Sequence, residues 1–105
     1  LKLRIFPNSA GMFDLSALDI GGDILVVSQF TLYAETRRGR RPGFALAAPA
    51  KSARELFDKT LELFKASGLR MASGCFQEHM VIELQNNGPV TILVDSSDRW
   101  GPSRG

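Results

Sequence analysis

Residues 24–33, Ile24-Leu25-Val26-Val27-Ser28-Gln29-Phe30-Thr31-Leu32-Tyr33, decide the fold class. Their β-branched and aromatic side chains read as a strand. The first half is apolar on both faces, which predicts cover on both sides, as in a central strand. Ser28, Gln29 and Thr31 then interrupt the apolar run. Buried polar groups need hydrogen-bond partners. These side chains therefore either bond a sheet edge or a neighbouring loop, or they line a pocket.

Upstream, Ile20-Gly21-Gly22-Asp23 reads as a tight turn, Pro7 to Gly11 is turn-like, and Leu1 to Phe6 alternates apolar and basic residues, which suits a half-buried strand or the end of an element whose start is missing. Downstream, Ala34 to Pro49 is a long loop, of a length that is often functional inside a compact domain. Ser52-Ala53-Arg54-Glu55 then reads as a capping box. Leu56, Phe57, Thr60, Leu61 and Phe64 follow at helical spacing, and Gly68 stops the pattern. This predicts one amphipathic helix lying on a sheet. Leu69 to Cys75 suits a short strand, Met80 to Gln85 a strand with one more polar face, and Val90 to Asp95 a last strand. The order of strands, helix and strands predicts a single mixed α/β domain over residues 1–96. Residues 97–105 read as a disordered tail, within the polar run Ser96 to Gly105.

The 105 residues suffice for one domain with a modest core, and 44% hydrophobic with 23% charged residues is ordinary for a globular chain. No apolar run approaches the roughly 20 residues of a membrane span, and no signal peptide is visible. The single Cys75 excludes an internal disulfide and suits a reducing, cytoplasmic compartment. A net charge of +2 is too mild to announce nucleic-acid binding. Arg37, Arg38, Arg40 and Arg41, however, gather four of the thirteen basic residues into one loop. Such a loop either lies along phosphates or is simply solvated.

The catalytic kit is thin. His79 and Cys75 are the only residues of their types and lack ligand spacing, so no metal is expected. No nucleotide-binding or hydrolase fingerprint is present, so no cofactor is expected either. His79 suits a strand edge and Cys75 a small buried hydrophobe. An enzyme built from this chain would work by positioning and backbone hydrogen bonding. One more stretch stands out, Gln85-Asn86-Asn87-Gly88-Pro89-Val90-Thr91. Asn-Gly signals a hairpin, yet proline has no N–H for the returning strand. An X-Pro bond is the one peptide bond that turns cis cheaply. The pair is either a cis tip that aims its carbonyls outward or a plain turn with an edge-strand proline.

Taken together, Ser28-Gln29-Phe30-Thr31-Leu32 and Asn87-Gly88-Pro89-Val90-Thr91 resemble the two motifs of the D-aminoacyl-tRNA deacylases, also called D-tyrosyl-tRNA deacylases. Thr36 to Pro42, Phe44, the helix, Arg4-Ile5-Phe6 and Leu15 to Val27 are similar too, so the resemblance runs from about Leu3 to Ser96. It implies a sheet or barrel with one main helix packed on it. It also implies hydrolysis of the ester between a D-amino acid, or glycine, and the 3′-terminal adenosine of tRNA. The expected assembly is a homodimer with active sites at the interface. Gly88 and Pro89 would be cis, enter the partner's pocket, and leave no room for an L side chain, a gate that works by rejection. Backbone N–H groups near Phe30, with the Ser28 hydroxyl, would hold the scissile carbonyl or its oxyanion. Thr31 is a nucleophile by type but lacks a base, so positioning is its expected role, and Gln29 braces the pocket. Leu32, Asn87, Val90 and Thr91 would support the site, and Arg37, Arg38, Arg40 and Arg41 would contact tRNA. The tRNA's own terminal 2′-hydroxyl would assist a water.

Family members begin with a further strand, a hairpin and a helix ahead of Leu3-Arg4-Ile5-Phe6, so the chain is expected to lack those elements. Gly43 stands where the family often has serine. Two other readings remain open: a non-catalytic RNA-binding relative or inactive fragment of the fold, and a small structural domain that oligomerises through an exposed edge.

Overall fold

The computed structural model describes residues 1–100 of the chain. Its elements are strands β1 (Phe6–Pro7), β2 (Phe13–Leu15), β3 (Ile24–Val26) and β4 (Met71–Ser73), helices α1 (Ala17–Ile20) and α2 (Ala50–Ala66), and two short 3-10 helices, Phe30–Tyr33 and Ser96–Trp100. This is a mixed α/β arrangement with small sheets and one main helix.

β1 and β2 form an antiparallel hairpin. Asn8 makes its turn: Oδ1 accepts from the N–H groups of Ala10 at 2.9 Å and Met12 at 3.1 Å, and Gly11 takes φ +78°. Ser16 then caps α1 in a reciprocal box. The Asp19 N–H donates to Ser16 Oγ at 3.1 Å, and the Ser16 N–H donates to Asp19 Oδ2 at 2.8 Å. β3 and β4 pair in parallel, Ile24 with Met71 through Val26 with Ser73. Two bonds extend that ladder, Ile24 N–H to Arg70 at 2.9 Å and Gly74 N–H to Val26 at 2.9 Å. A parallel pair needs a long crossover, and α2 lies within it.

Several expectations need correction. The strand foreseen over residues 24–33 ends at Val26, and Phe30–Tyr33 coils into a 3-10 turn. The Gln29 amide bonds the Thr31 hydroxyl within the same loop, and the partner strand ends at Ser73. β3 is not a central strand: among the described residues it pairs only with β4, and Leu25 is 63% exposed. Residues 80–85 and 90–95 are not strands. Among the described residues, no backbone-to-backbone hydrogen bond reaches positions 80–94, and an alternating pattern without an edge to pair with does not become a ladder. Of the alternating run Leu1 to Phe6 only Phe6 is in a strand, as the first residue of β1. The capping box expected at Ser52 does not form either. α2 starts at Ala50 after Pro49, and the Ser52 hydroxyl donates back to the Pro49 carbonyl. The helix stop is as expected, with Gly68 at φ +81°.

Little of the chain is enclosed. Among the described residues only Ser16 and Ala17 are buried. The accessible surface is 9554 Å², against about 5,800 Å² for a compact chain of 11.5 kDa. The radius of gyration is 16.3 Å, where about 13 Å is usual for this length. Leu56 and Leu63 on α2 are 67% and 65% exposed.

Candidate active site

A groove of about 980 Å³ opens between the loop after β3, the start of α2 and the segment that follows β4. Ser28, Gln29 and Phe30 form one wall. Ala53, Leu56, Phe57 and Thr60 of α2 form a second, and Phe76 to Met80 with Ile82 a third. Aromatic contacts stiffen the walls. The Phe30 ring meets Phe44 edge-on at 5.0 Å between centroids. Phe57 lies 5.7 Å from Phe76, and the Arg54 guanidinium sits 4.9 Å above the Phe76 ring.

Ser28 is half-buried at the groove, and its hydroxyl is not engaged by any other described group. Phe30 and Thr31 open the 3-10 turn, so their N–H groups have no partner within it. The Gln29 side chain donates to Thr31 Oγ1, which occupies that hydroxyl in bracing the turn. Thr31 itself does not line the groove, nor does Leu32, which is 74% exposed.

The second motif lies elsewhere. Asn87, Gly88, Pro89, Val90 and Thr91 are absent from the groove walls of their own chain. The Gly88–Pro89 bond is cis. A Cβ added at Gly88 would collide with the backbone nitrogen of Val90 and meet the Asn86 side chain at 3.4 Å. The arginines form a third, separate feature. Glu35 and Gly43 exchange backbone bonds at 2.7 and 2.9 Å and pinch the loop at its base. Arg37 is held at that base, its N–H donating to Glu35 Oε1 at 2.8 Å and its Nε lying 3.8 Å from the same oxygen. Arg38, Arg40 and Arg41 stand exposed around Gly39, whose φ is +82°.

One connection has no local sequence signal. The Tyr33 hydroxyl donates to Asp95 Oδ2 at 2.6 Å across 62 positions of sequence. Asp95 Oδ1 accepts from the Ser97 N–H at 2.9 Å and the Ser97 hydroxyl at 2.8 Å. The Tyr33 bond, with the Ser97 bonds behind it, holds the Asp95 carboxyl below the ordinary carboxylate range. The same bond and the charge of Asp95 raise the Tyr33 phenol. Sequence reasoning also missed Phe44, Phe76 and His79 as groove residues. The Asp95-Ser96-Ser97 run does carry a turn signal. The long-range partner could come only from the fold.

The D-Tyr-tRNA(Tyr) deacylase family model matches residues 1–95. A D-aminoacyl-tRNA deacylase of Deinococcus deserti is 54% identical over 94 residues, which cover 90% of this chain and 64% of that protein. The protein of the same name from Neisseria meningitidis serogroup B is 51% identical over 94 residues, with 90% and 58% covered. A third, from Clostridioides difficile, is 50% identical over 97 residues, with 92% and 65% covered. The chain thus spans about three-fifths of the length of these curated relatives. A match over nearly the whole chain, with both motif segments inside it, leads to one conclusion: the chain belongs to the D-Tyr-tRNA(Tyr) deacylase family.

Proposed function

We propose that this chain carries the catalytic groove and the chirality gate of a D-aminoacyl-tRNA deacylase, which hydrolyses the ester between a D-amino acid, or glycine, and the 3′-terminal adenosine of tRNA. The observation that carries the reading is that Ser28, Gln29 and Phe30 line an open groove from which the chain's own Gly88-Pro89 pair is absent. A groove on one protomer and a projecting pair on another suit a homodimer with shared sites, and the large uncovered surface supports such an assembly.

In this mechanism the aminoacyl ester enters the groove. The Ser28 hydroxyl and the N–H groups that open the Phe30 turn receive the carbonyl as its oxygen gains charge. Gln29 fixes the turn through Thr31. Water attacks the ester carbon, assisted by the terminal 2′-hydroxyl of the substrate, and the ribose oxygen leaves. The partner's gate rejects L side chains by occupying the space they need, with Leu32, Asn87, Val90 and Thr91 supporting the two motifs. The loop of Arg37, Arg38, Arg40 and Arg41 contacts tRNA phosphates. Charged tRNA and a lone thiol agree with a cytoplasmic setting.

Mixing two defective variants tests the shared site. Phe30→Ala damages the groove wall and Gly88→Ala damages the gate. Each alone should lose selective hydrolysis of D-aminoacyl-tRNA, whereas mixed dimers regain one intact site and part of the activity. No recovery on mixing, with subunit exchange demonstrated, contradicts a site shared between protomers.

A further inference from the structure

We propose that Tyr33 and Asp95 form a latch that positions the Gly88-Pro89 segment against the body of its own protomer; the inference rests on the deacylase reading above. Among the described residues, positions 80–94 make no backbone-to-backbone hydrogen bond. One side-chain hydrogen bond ties the distal end of this stretch to the body, from the Tyr33 hydroxyl to Asp95 Oδ2 at 2.6 Å. Both partners are fixed from behind. Ser97 holds Asp95 Oδ1 through its N–H and its hydroxyl, which leaves Oδ2 for the phenol. Tyr33 ends the 3-10 turn whose first residue, Phe30, packs on Phe44, and Tyr33 itself lines the groove. A continuous line therefore runs from groove wall to Tyr33, Asp95 and the Val90 to Val94 stretch, and on to Pro89. Pro89 and Asp95 are six residues apart, so the arm between latch and gate is at most about 20 Å. Releasing the latch frees the gate's root while leaving the gate residues and the Ser28-Gln29-Phe30 wall unaltered. Tyr33 and Asp95 are positioning residues in this account, acting on stereoselectivity through Gly88-Pro89.

Tyr33 is the only tyrosine in the chain, so phenolate absorbance titrates this group alone. Asp95→Ala should bring its ionisation down toward the ordinary value of 10.0, and an unmoved titration overturns the latch. Tyr33→Phe should lower the ratio of D- to L-aminoacyl-tRNA hydrolysis about tenfold, and Asp95→Ala, which lies outside the groove walls, should do the same with little change in KM. Asp95→Asn, which keeps an acceptor oxygen, should retain most of the ratio that Asp95→Ala loses. The double variant Tyr33→Phe with Asp95→Ala should be no worse than either single change. An unchanged ratio in a folded Tyr33→Phe protein, or strictly additive losses, overturns the proposal. A parent protein that leaves D-aminoacyl-tRNA intact removes the deacylase reading instead. The latch is then judged by thermolysin cleavage within residues 83–94: faster cutting in Tyr33→Phe supports it, and an equal rate overturns it.

Discussion

At the scale of single residues, Gly88 and Asp19 carry the sharpest consequences. The space around Gly88 is closed by its own neighbours, since a Cβ there meets the Val90 nitrogen and the Asn86 side chain. Gly88→Ala must therefore displace the tip, and misplacement at a reacting site is capable of costing about 10²-fold. The expected outcome is a collapse of D over L discrimination with tRNA binding unchanged; preserved discrimination in a folded variant would sink the gate. Asp19 gives a pH test. Its hydrogen bonds from the Ser16 backbone and side chain lower its pKa below the ordinary 3.8. A depressed folded value means that the stabilisation is complete above that ordinary value and is lost as pH falls through the folded one. Melting temperatures between neutral and strongly acid pH should show this loss in the parent, and a weaker acid dependence in Asp19→Asn. The residue scale was where the sequence was most legible. The Gly-Pro pair and the polar interruption at Ser28 to Thr31 break local rules, which marks them whatever surrounds them. The Tyr33–Asp95 bond breaks no rule and spans 62 positions, so it was invisible.

Elements were legible in proportion to how far they stabilise themselves. α2 closes its hydrogen bonds internally, and its apolar spacing and glycine stop place it well. A strand depends on an edge supplied from elsewhere, and the stretches at 80–85 and 90–95 show alternation without a ladder. The capping boxes make the same point on a smaller scale. Ser52-x-x-Glu55 has the pattern, but Pro49 starts the helix earlier, while Ser16-x-x-Asp19 makes both reciprocal bonds. Ser16→Ala should cost about 1 kcal/mol of stability in urea titration, and Ser52→Ala less than about 0.5 kcal/mol. Equal losses would contradict this assignment of the cap. The arginine loop is an element in its own right, pinched by the Glu35–Gly43 bridge. Its charge was readable, whereas the closure that pairs Arg37 with Glu35 at the base of the loop was not. Arg38→Ala and Arg40→Ala should each flatten the salt dependence of tRNA binding by about one unit of log–log slope. A slope that stays the same reduces the loop to a solvated surface feature.

The whole molecule exposes far more surface than a compact chain of its mass. Leu56 and Leu63 on α2, and Val81, Leu84, Leu93 and Val94, leave most of their apolar surface uncovered. The sequence indicated which faces are apolar, but the partner of an apolar face is not written in the face itself. The chain spans about three-fifths of the length of the relatives it matches. On the proposed reading, a complete site would take the groove of one protomer and the Gly88-Pro89 pair of another. The most direct measurement is hydrolysis of matched D- and L-aminoacyl-tRNA by this chain, with a protein spanning the full length of the relatives alongside. Selective loss of the D-ester, with the L-ester intact, is the predicted result, in the longer protein if the groove needs covering and in both if it does not. A D-ester that survives both proteins, or equal cleavage of D and L, would contradict the deacylase account.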